Sequence, residues 1–116
     1  MKLQPLNQFS LAARRNVRVL LSDIDDTMTT DGLLPSSTLQ ALEAIQQAGI
    51  LVVPVTGRPA GWCDHIARMW PVDAVVGENG AFYFAYDQSA RKMRSGFVKD
   101  EVERTADRAK LNDLRS

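Results

Sequence analysis

Residues Val17 to Ser22 form a near-continuous apolar run, and that run ends in Asp23-Ile24-Asp25-Asp26-Thr27. The apolar part reads as a parallel strand buried on both faces. Two carboxylates spaced two residues apart at its end repel one another and lose hydration if they are buried. Such a pair persists where a cation or an acid–base task requires it. The run therefore marks both a strand of an α/β sheet and a candidate metal or phosphoryl-transfer site.

The rest of the chain alternates helix and strand patterns. Thr29 to Pro35 reads as a loop with Asp31-Gly32 as its turn. Ser37-Thr38-Leu39-Gln40 has the spacing of a capping box, with Ser37 as N-cap and Gln40 reaching back. Leu39, Leu42 and Ile45 recur at helical spacing, and Gly49 ends that helix. Ile50 to Val55 reads as a second buried strand, with Pro54 weakening its far end. Pro59 suits the first turn of a helix whose apolar face is Trp62, Ile66, Met69 and Trp70. A short third strand follows over Ala74 to Val76, then the polar turn Gly77-Glu78-Asn79-Gly80. Ala81 to Tyr86 and Arg91 to Ser95 pair as a hairpin around Asp87 to Ala90. Val98 to Leu114 reads as a charged helix with a thin apolar stripe of Val102, Ala106 and Ala109.

Strand–helix–strand–helix–strand is the signature of a Rossmann-like, doubly wound parallel α/β sheet, here followed by a β-hairpin. Ligands of such folds bind at the carboxyl edge of the strands. Asp23, Asp25, Thr56 and the Gly77–Gly80 turn all follow strands, so all are expected at that edge. The expected division is an N-terminal extension over 1–16, an α/β core over 17–97, and a helix over 98–116.

The bulk numbers narrow the function classes. A chain of 116 residues builds one modest core. Lys plus Arg and Asp plus Glu are 14 each, so the net charge of zero offers no attraction to nucleic acid or anionic membranes. No apolar run approaches the ~20 residues of a membrane helix. The first 16 residues lack the apolar stretch of a secretory signal. Cys63 is the lone cysteine, so no internal disulfide forms, and a reducing, cytoplasmic setting is the simplest expectation.

A phosphate monoester at this edge has a defined chemistry available. Asp23 attacks phosphorus and forms an aspartyl phosphate. Asp25 protonates the leaving oxygen and later takes a proton from water. A hard divalent cation with oxygen ligands, Mg²⁺, offsets the negative charge. Thr56 donates to a phosphoryl oxygen, and the amides of Gly57 and Arg58 sit where a helix begins, a natural anion site. Asn79, with Glu78 in the third turn, serves either the chemistry of the turn itself or the rim of the site.

These residues resemble a known family. Asp23-Ile24-Asp25-Asp26-Thr27 resembles the first motif of the haloacid dehalogenase (HAD) superfamily. Val53-Pro54-Val55-Thr56-Gly57-Arg58 resembles the second. Val76-Gly77-Glu78-Asn79-Gly80-Ala81 is similar to a turn of its Cof-like, type IIB sugar-phosphatase branch. The motifs occur in the family's order over roughly Val17 to Gly96. The resemblance implies a Mg²⁺-dependent phosphatase. In it Asp23 is nucleophile and metal ligand, Asp25 is acid/base with its backbone carbonyl on the metal, and Thr56 is the phosphoryl-binding hydroxyl. The substrate is a small phosphorylated metabolite such as a sugar phosphate. Two departures stand out: Asp26 occupies a position where the family usually has Gly, and the later Lys and acidic motifs do not occur here. Lys92, Lys99 and Lys110 lie too early to be that Lys. The chain is thus expected to be the first half of a HAD core plus the start of a cap, prone to self-association or to pairing with a missing C-terminal half. The alternative is a non-catalytic phosphate-binding or assembly fragment. A receiver-like signalling domain fits less well, because no Asp ends the third strand.

Overall fold

The computed structural model describes residues 2–115. A helical turn at Leu6–Gln8 and helix α1 (Leu11–Arg15) lead into strand β1 (Val19–Ser22). Then come α2 (Ser36–Gln47), β2 (Leu51–Pro54), α3 (Ala60–Met69) and β3 (Val75–Gly77). The hairpin β4 (Phe82–Asp87) and β5 (Lys92–Phe97) and the helix α4 (Glu101–Arg115) complete the order.

Strands β1 and β2 run parallel in the register Val19↔Leu51 to Ser22↔Pro54. A parallel bridge, Val55↔Val76, joins β2 to β3, and β3 continues antiparallel into β4 and β5. The carboxyl ends of β1, β2 and β3 therefore share one edge. The N–H that Pro54 lacks lies on the side of β2 away from β1, because the Val55 N–H is the one that reaches the Ser22 carbonyl (2.8 Å). No β1–β2 ladder bond is lost. On that same outer side Asp73 supplies what a neighbouring strand does not: its carboxylate accepts from the Val52 N–H (2.8 Å) and from Gln46 Nε2 (3.1 Å).

The core gathers Ile24, Met28, Leu42, Val52, Cys63, Ile66, Ala67, Val75 and Phe82. Several local expectations change on contact with this packing. Helix α2 starts at Ser36 with Pro35 as N-cap and no side-chain cap, so the Ser37–Gln40 capping box does not form. Thr38 instead donates its hydroxyl to the Met28 carbonyl (2.8 Å), tying the helix start to the loop after β1. Pro59 is the N-cap of α3, one residue before its first turn.

The buried face of α3 is Cys63, Ile66 and Ala67, with Trp70 half-buried. Trp62 and Met69, expected on that face, are 55% and 71% exposed. The reason is close approach. A Cβ on Gly77 would overlap the Phe82 ring and Cys63 Sγ, so the side chain that α3 sets against Gly77 is a small one, Cys63. Gly77→Ala is expected to destabilise the fold by about 1–3 kcal/mol, the range for overpacking a filled core. An unchanged urea midpoint would show that this contact is loose.

Strand β1 is not buried on both faces. Val19, Leu21 and Leu51 are 43%, 65% and 50% exposed. The register Val19↔Leu51 and Leu21↔Val53 puts them on one sheet face, which no described element covers. The Val102, Ala106 and Ala109 stripe of α4 is also exposed. The helix is capped by Asp100, whose carboxylate accepts from the Glu103 N–H (2.8 Å), and it is anchored by Arg104 stacked on Phe97.

Candidate functional site

At the shared carboxyl edge, the chain leaves β1 at Asp23 and turns at once. The Ile24 carbonyl accepts from the amides of Thr27, Met28 and Thr29 (2.8–3.2 Å), and Ile24 itself is core. That anchor turns Asp23 and Asp25, on either side of it, outward to solvent. Asp26 holds φ = 59°, in the left-handed region that glycine occupies without strain. The usual family glycine thus has a backbone reason, and Asp is among the residues that tolerate the position. The Asp26 N–H is satisfied by Thr29 Oγ1 (3.0 Å).

The end of β2 supplies the opposite wall. Thr56 is buried; its N–H donates to the Val76 carbonyl (2.9 Å), its carbonyl accepts from the Asn79 N–H (3.0 Å), and Oγ1 accepts from the Arg58 N–H (3.1 Å). That leaves the hydroxyl proton for donation. The Glu78 N–H donates to the Arg58 carbonyl (3.1 Å), so the third turn is strapped onto the second. The strap uses two consecutive left-handed residues, Glu78 (φ = 46°) and Asn79 (φ = 57°). A Cβ on Gly57 would lie 3.0 Å from Asn79 Oδ1, so glycine lets the Asn79 amide sit directly against the Thr56–Arg58 turn.

Arg58 crosses the gap between the walls. Its Nη2 and Nε meet the two carboxylate oxygens of Asp25 at 2.7 and 3.3 Å, a two-pronged ion pair. The hydrogen bond from Arg58 holds the Asp25 carboxyl below its ordinary range, and the Asp25 carboxylate in turn raises Arg58. The guanidinium carbon of Arg58 lies over the Trp62 ring, 4.5 Å from its centre. Exposed Trp62 thus braces Arg58 from outside the core, a role that sequence periodicity assigned to packing.

Of the sequence-predicted residues, Asp25, Thr56, Gly57, Arg58 and Asn79 are brought into one connected cluster. Asp23 stands at the same edge, and its side chain makes no hydrogen bond or ion pair to the others among the described residues. Thr29 and Trp62 are the supporting residues that sequence reasoning missed; a Trp four residues after an Arg is the one available signal for the latter. As to a cation, the edge offers the oxygen donors of Asp23 and Asp25, a set suited to a hard ion that also takes water and phosphate oxygens. No cluster of three or more His, Cys, Asp or Glu side chains able to hold a metal occurs among the described residues.

Comparison with known proteins agrees with this architecture. A phosphatase of the haloalkanoate (HAD) superfamily from Bacteroides thetaiotaomicron is 29% identical, with a TM-score of 0.53 over 72% of this chain and 29% of its own. A protein from a study of trigonal-bipyramidal intermediates in a phosphoryl-transfer superfamily is 30% identical (TM-score 0.50), over 61% of this chain and 29% of that one. A Thermoplasma acidophilum protein at 18% identity shares the fold (TM-score 0.57), over 67% of this chain and 34% of its own. The chain thus spans about a third of the length of these solved structures. No curated protein matches it. The family model for haloacid dehalogenase-like hydrolases matches residues 20–115, a span holding both carboxylates, the Thr56–Arg58 turn and the third turn, and the chain belongs to that family.

Proposed function

We propose that this chain carries the nucleophile and phosphate-binding half of a phosphoric monoester hydrolase of the Cof-like, type IIB kind, acting on a small phosphorylated metabolite such as a sugar phosphate. The observation that carries the reading is the Asp25–Arg58 ion pair, which spans the ends of β1 and β2 beside Thr56, Gly57 and Asn79. An arginine fork, a hydroxyl and turn amides are the donors that a phosphoryl group takes.

In this reading an Asp23 carboxylate oxygen bonds to phosphorus as the P–O bond to the leaving group breaks. Asp25 gives its proton to the departing oxygen. Water then attacks phosphorus and passes a proton to Asp25, releasing phosphate and restoring Asp23. Arg58 favours the ionised form of Asp25, so phosphoryl oxygens compete for the Arg58 fork, and the released carboxylate takes up a proton from solvent before it acts as the acid. Mg²⁺, held by the Asp23 carboxylate and the Asp25 carbonyl, would supply charge neutralisation. A binding-only role for this chain is the second reading, and the Arg58 hydrogen bond that holds Asp25 toward its ionised form favours it.

Calorimetry with inorganic phosphate and Mg²⁺ tests the site. Binding is expected, with Thr56→Val weakening it by about tenfold, the loss of one hydrogen bond to a charged group. No binding, or binding indifferent to Thr56, would overturn the reading. Release of phosphate from an aryl phosphate, stopped by EDTA, separates the hydrolase from the binding module.

The open sheet face and the outer edge of β1 carry a second expectation. Val19, Leu21 and Leu51 are the kind of apolar surface that association covers. The chain is expected to self-associate, with a mass by light scattering that rises with concentration, and Leu21→Lys is expected to reduce it. A strictly monomeric, folded chain at all concentrations would sink this expectation.

A further inference from the structure

Beyond the phosphate cluster, a groove of about 640 Å³ opens between α4, the hairpin and the third turn. Asn79, already in contact with the Thr56–Arg58 turn, is also part of its wall, so the groove begins where the phosphate cluster ends. Its volume suits a small metabolite. Its apolar lining is Phe82, Phe97, Val98 and Leu111.

The charged residues in it are unequal. Lys99 and Asp107 neutralise each other in an ion pair of 2.5 Å, which raises the lysine and lowers the carboxyl. Arg104 and Arg108, one helical turn apart on α4, are in none of the ion pairs among the described residues. Glu78 is the one groove carboxylate without an ion pair among the described residues, so cations prevail by one charge. Arg104 is the distinctive member. Its guanidinium lies 3.8 Å from the centre of the Phe97 ring, which fixes its plane. Its Nε is buried with no hydrogen-bond partner. That atom is out of a ligand's reach, so the terminal nitrogens of the guanidinium are the donors that Arg104 offers to the groove.

We infer that this groove receives the leaving-group end of the substrate, and that Arg104, seconded by Arg108, binds a second oxyanion there, a carboxylate or a further phosphate. The inference rests on the phosphate-site reading above. It makes the substrate a doubly anionic metabolite rather than a neutral sugar carrying one phosphate. A planar fork held against Phe97 favours oxyanions, whose paired oxygens match its N–H groups, over hydroxyls.

The test is a ratio of affinities, measured calorimetrically on this chain with Mg²⁺. Phosphoglycerate is compared with glycerol phosphate, and fructose bisphosphate with fructose phosphate. A doubly anionic member about tenfold or more tighter in either pair is expected, and the pair showing it identifies the oxyanion. Arg104→Gln is expected to bring that ratio close to one. Arg104→Lys, which keeps the charge and the stacking stem, is expected to lose most of it, and circular dichroism confirms that each variant is folded. Thr56→Val is expected to weaken both members and preserve the ratio. Ratios near one in both pairs, or a ratio indifferent to Arg104, would overturn the inference while leaving the phosphate site standing. Failure of every phosphate ester to bind would overturn both.

Discussion

Asp23→Asn is expected to reduce phosphate release by roughly four to six orders of magnitude, the loss seen when a catalytic nucleophile is removed. The amide keeps the size of the side chain and its place at the end of β1, but an uncharged nitrogen or carbonyl oxygen does not form the acyl phosphate bond. Because Asp23 is exposed and makes no ion pair within the described residues, the substitution should leave the melting temperature nearly unchanged. The measurement is steady-state hydrolysis of an aryl phosphate by the protein carrying this chain, beside a thermal melt. Turnover within tenfold of the parent, with the fold intact, would remove Asp23 as nucleophile.

The second large effect concerns Arg58→Gln. Asp25 is the partner whose carboxyl the arginine holds below its ordinary value of 3.8. A carboxyl lowered in the folded state adds stability above its unfolded value, and that contribution is lost as pH falls through the lower, folded value. In the variant the Asp25 titration should rise toward the ordinary range. Carbon-detected NMR of the aspartate side chains reads it directly. Affinity for inorganic phosphate should fall by about ten- to a hundredfold, because a charged two-pronged donor is lost. The two readouts separate cleanly: an unmoved Asp25 titration would mean the ion pair does not persist in solution, whereas unmoved phosphate affinity would mean that Arg58 only restrains Asp25. Both sides of the pair are partly exposed, so the effect on global stability should be small.

Much of this site is written in short stretches of sequence. Two carboxylates after an apolar run, a Thr-Gly-Arg-Pro turn before a helix, and a Gly-Glu-Asn-Gly turn each carry their own local cause. A strand end, a helix start and left-handed backbone positions need those residue types. The parallel arrangement then brings the three turns to one edge. The hairpin was legible for the same reason: Asp87 accepts from the amides of Ser89 and Ala90 (3.0 Å each), a turn closed by its own side chain.

What periodicity misjudged were faces. On α3 the bulky Trp62 and Met69 looked like core, but the helix buries Cys63, Ile66 and Ala67, and the small Cys63 is what fits against Gly77. On α4 the apolar stripe points to solvent while a charged residue, Arg104, makes the anchoring contact with Phe97. On β1 an apolar run proved consistent with one open face, because burial depends on what packs there and not on the run itself. The sequence alone determined the chemistry on offer and the order of elements, since both follow from residue type and local backbone preference. The pairing of Arg58 with Asp25, the bracing by Trp62 and the groove under Arg104 were decided only by tertiary structure. Each joins residues distant in sequence or side chains whose direction is set by packing, and no local pattern encodes those distances.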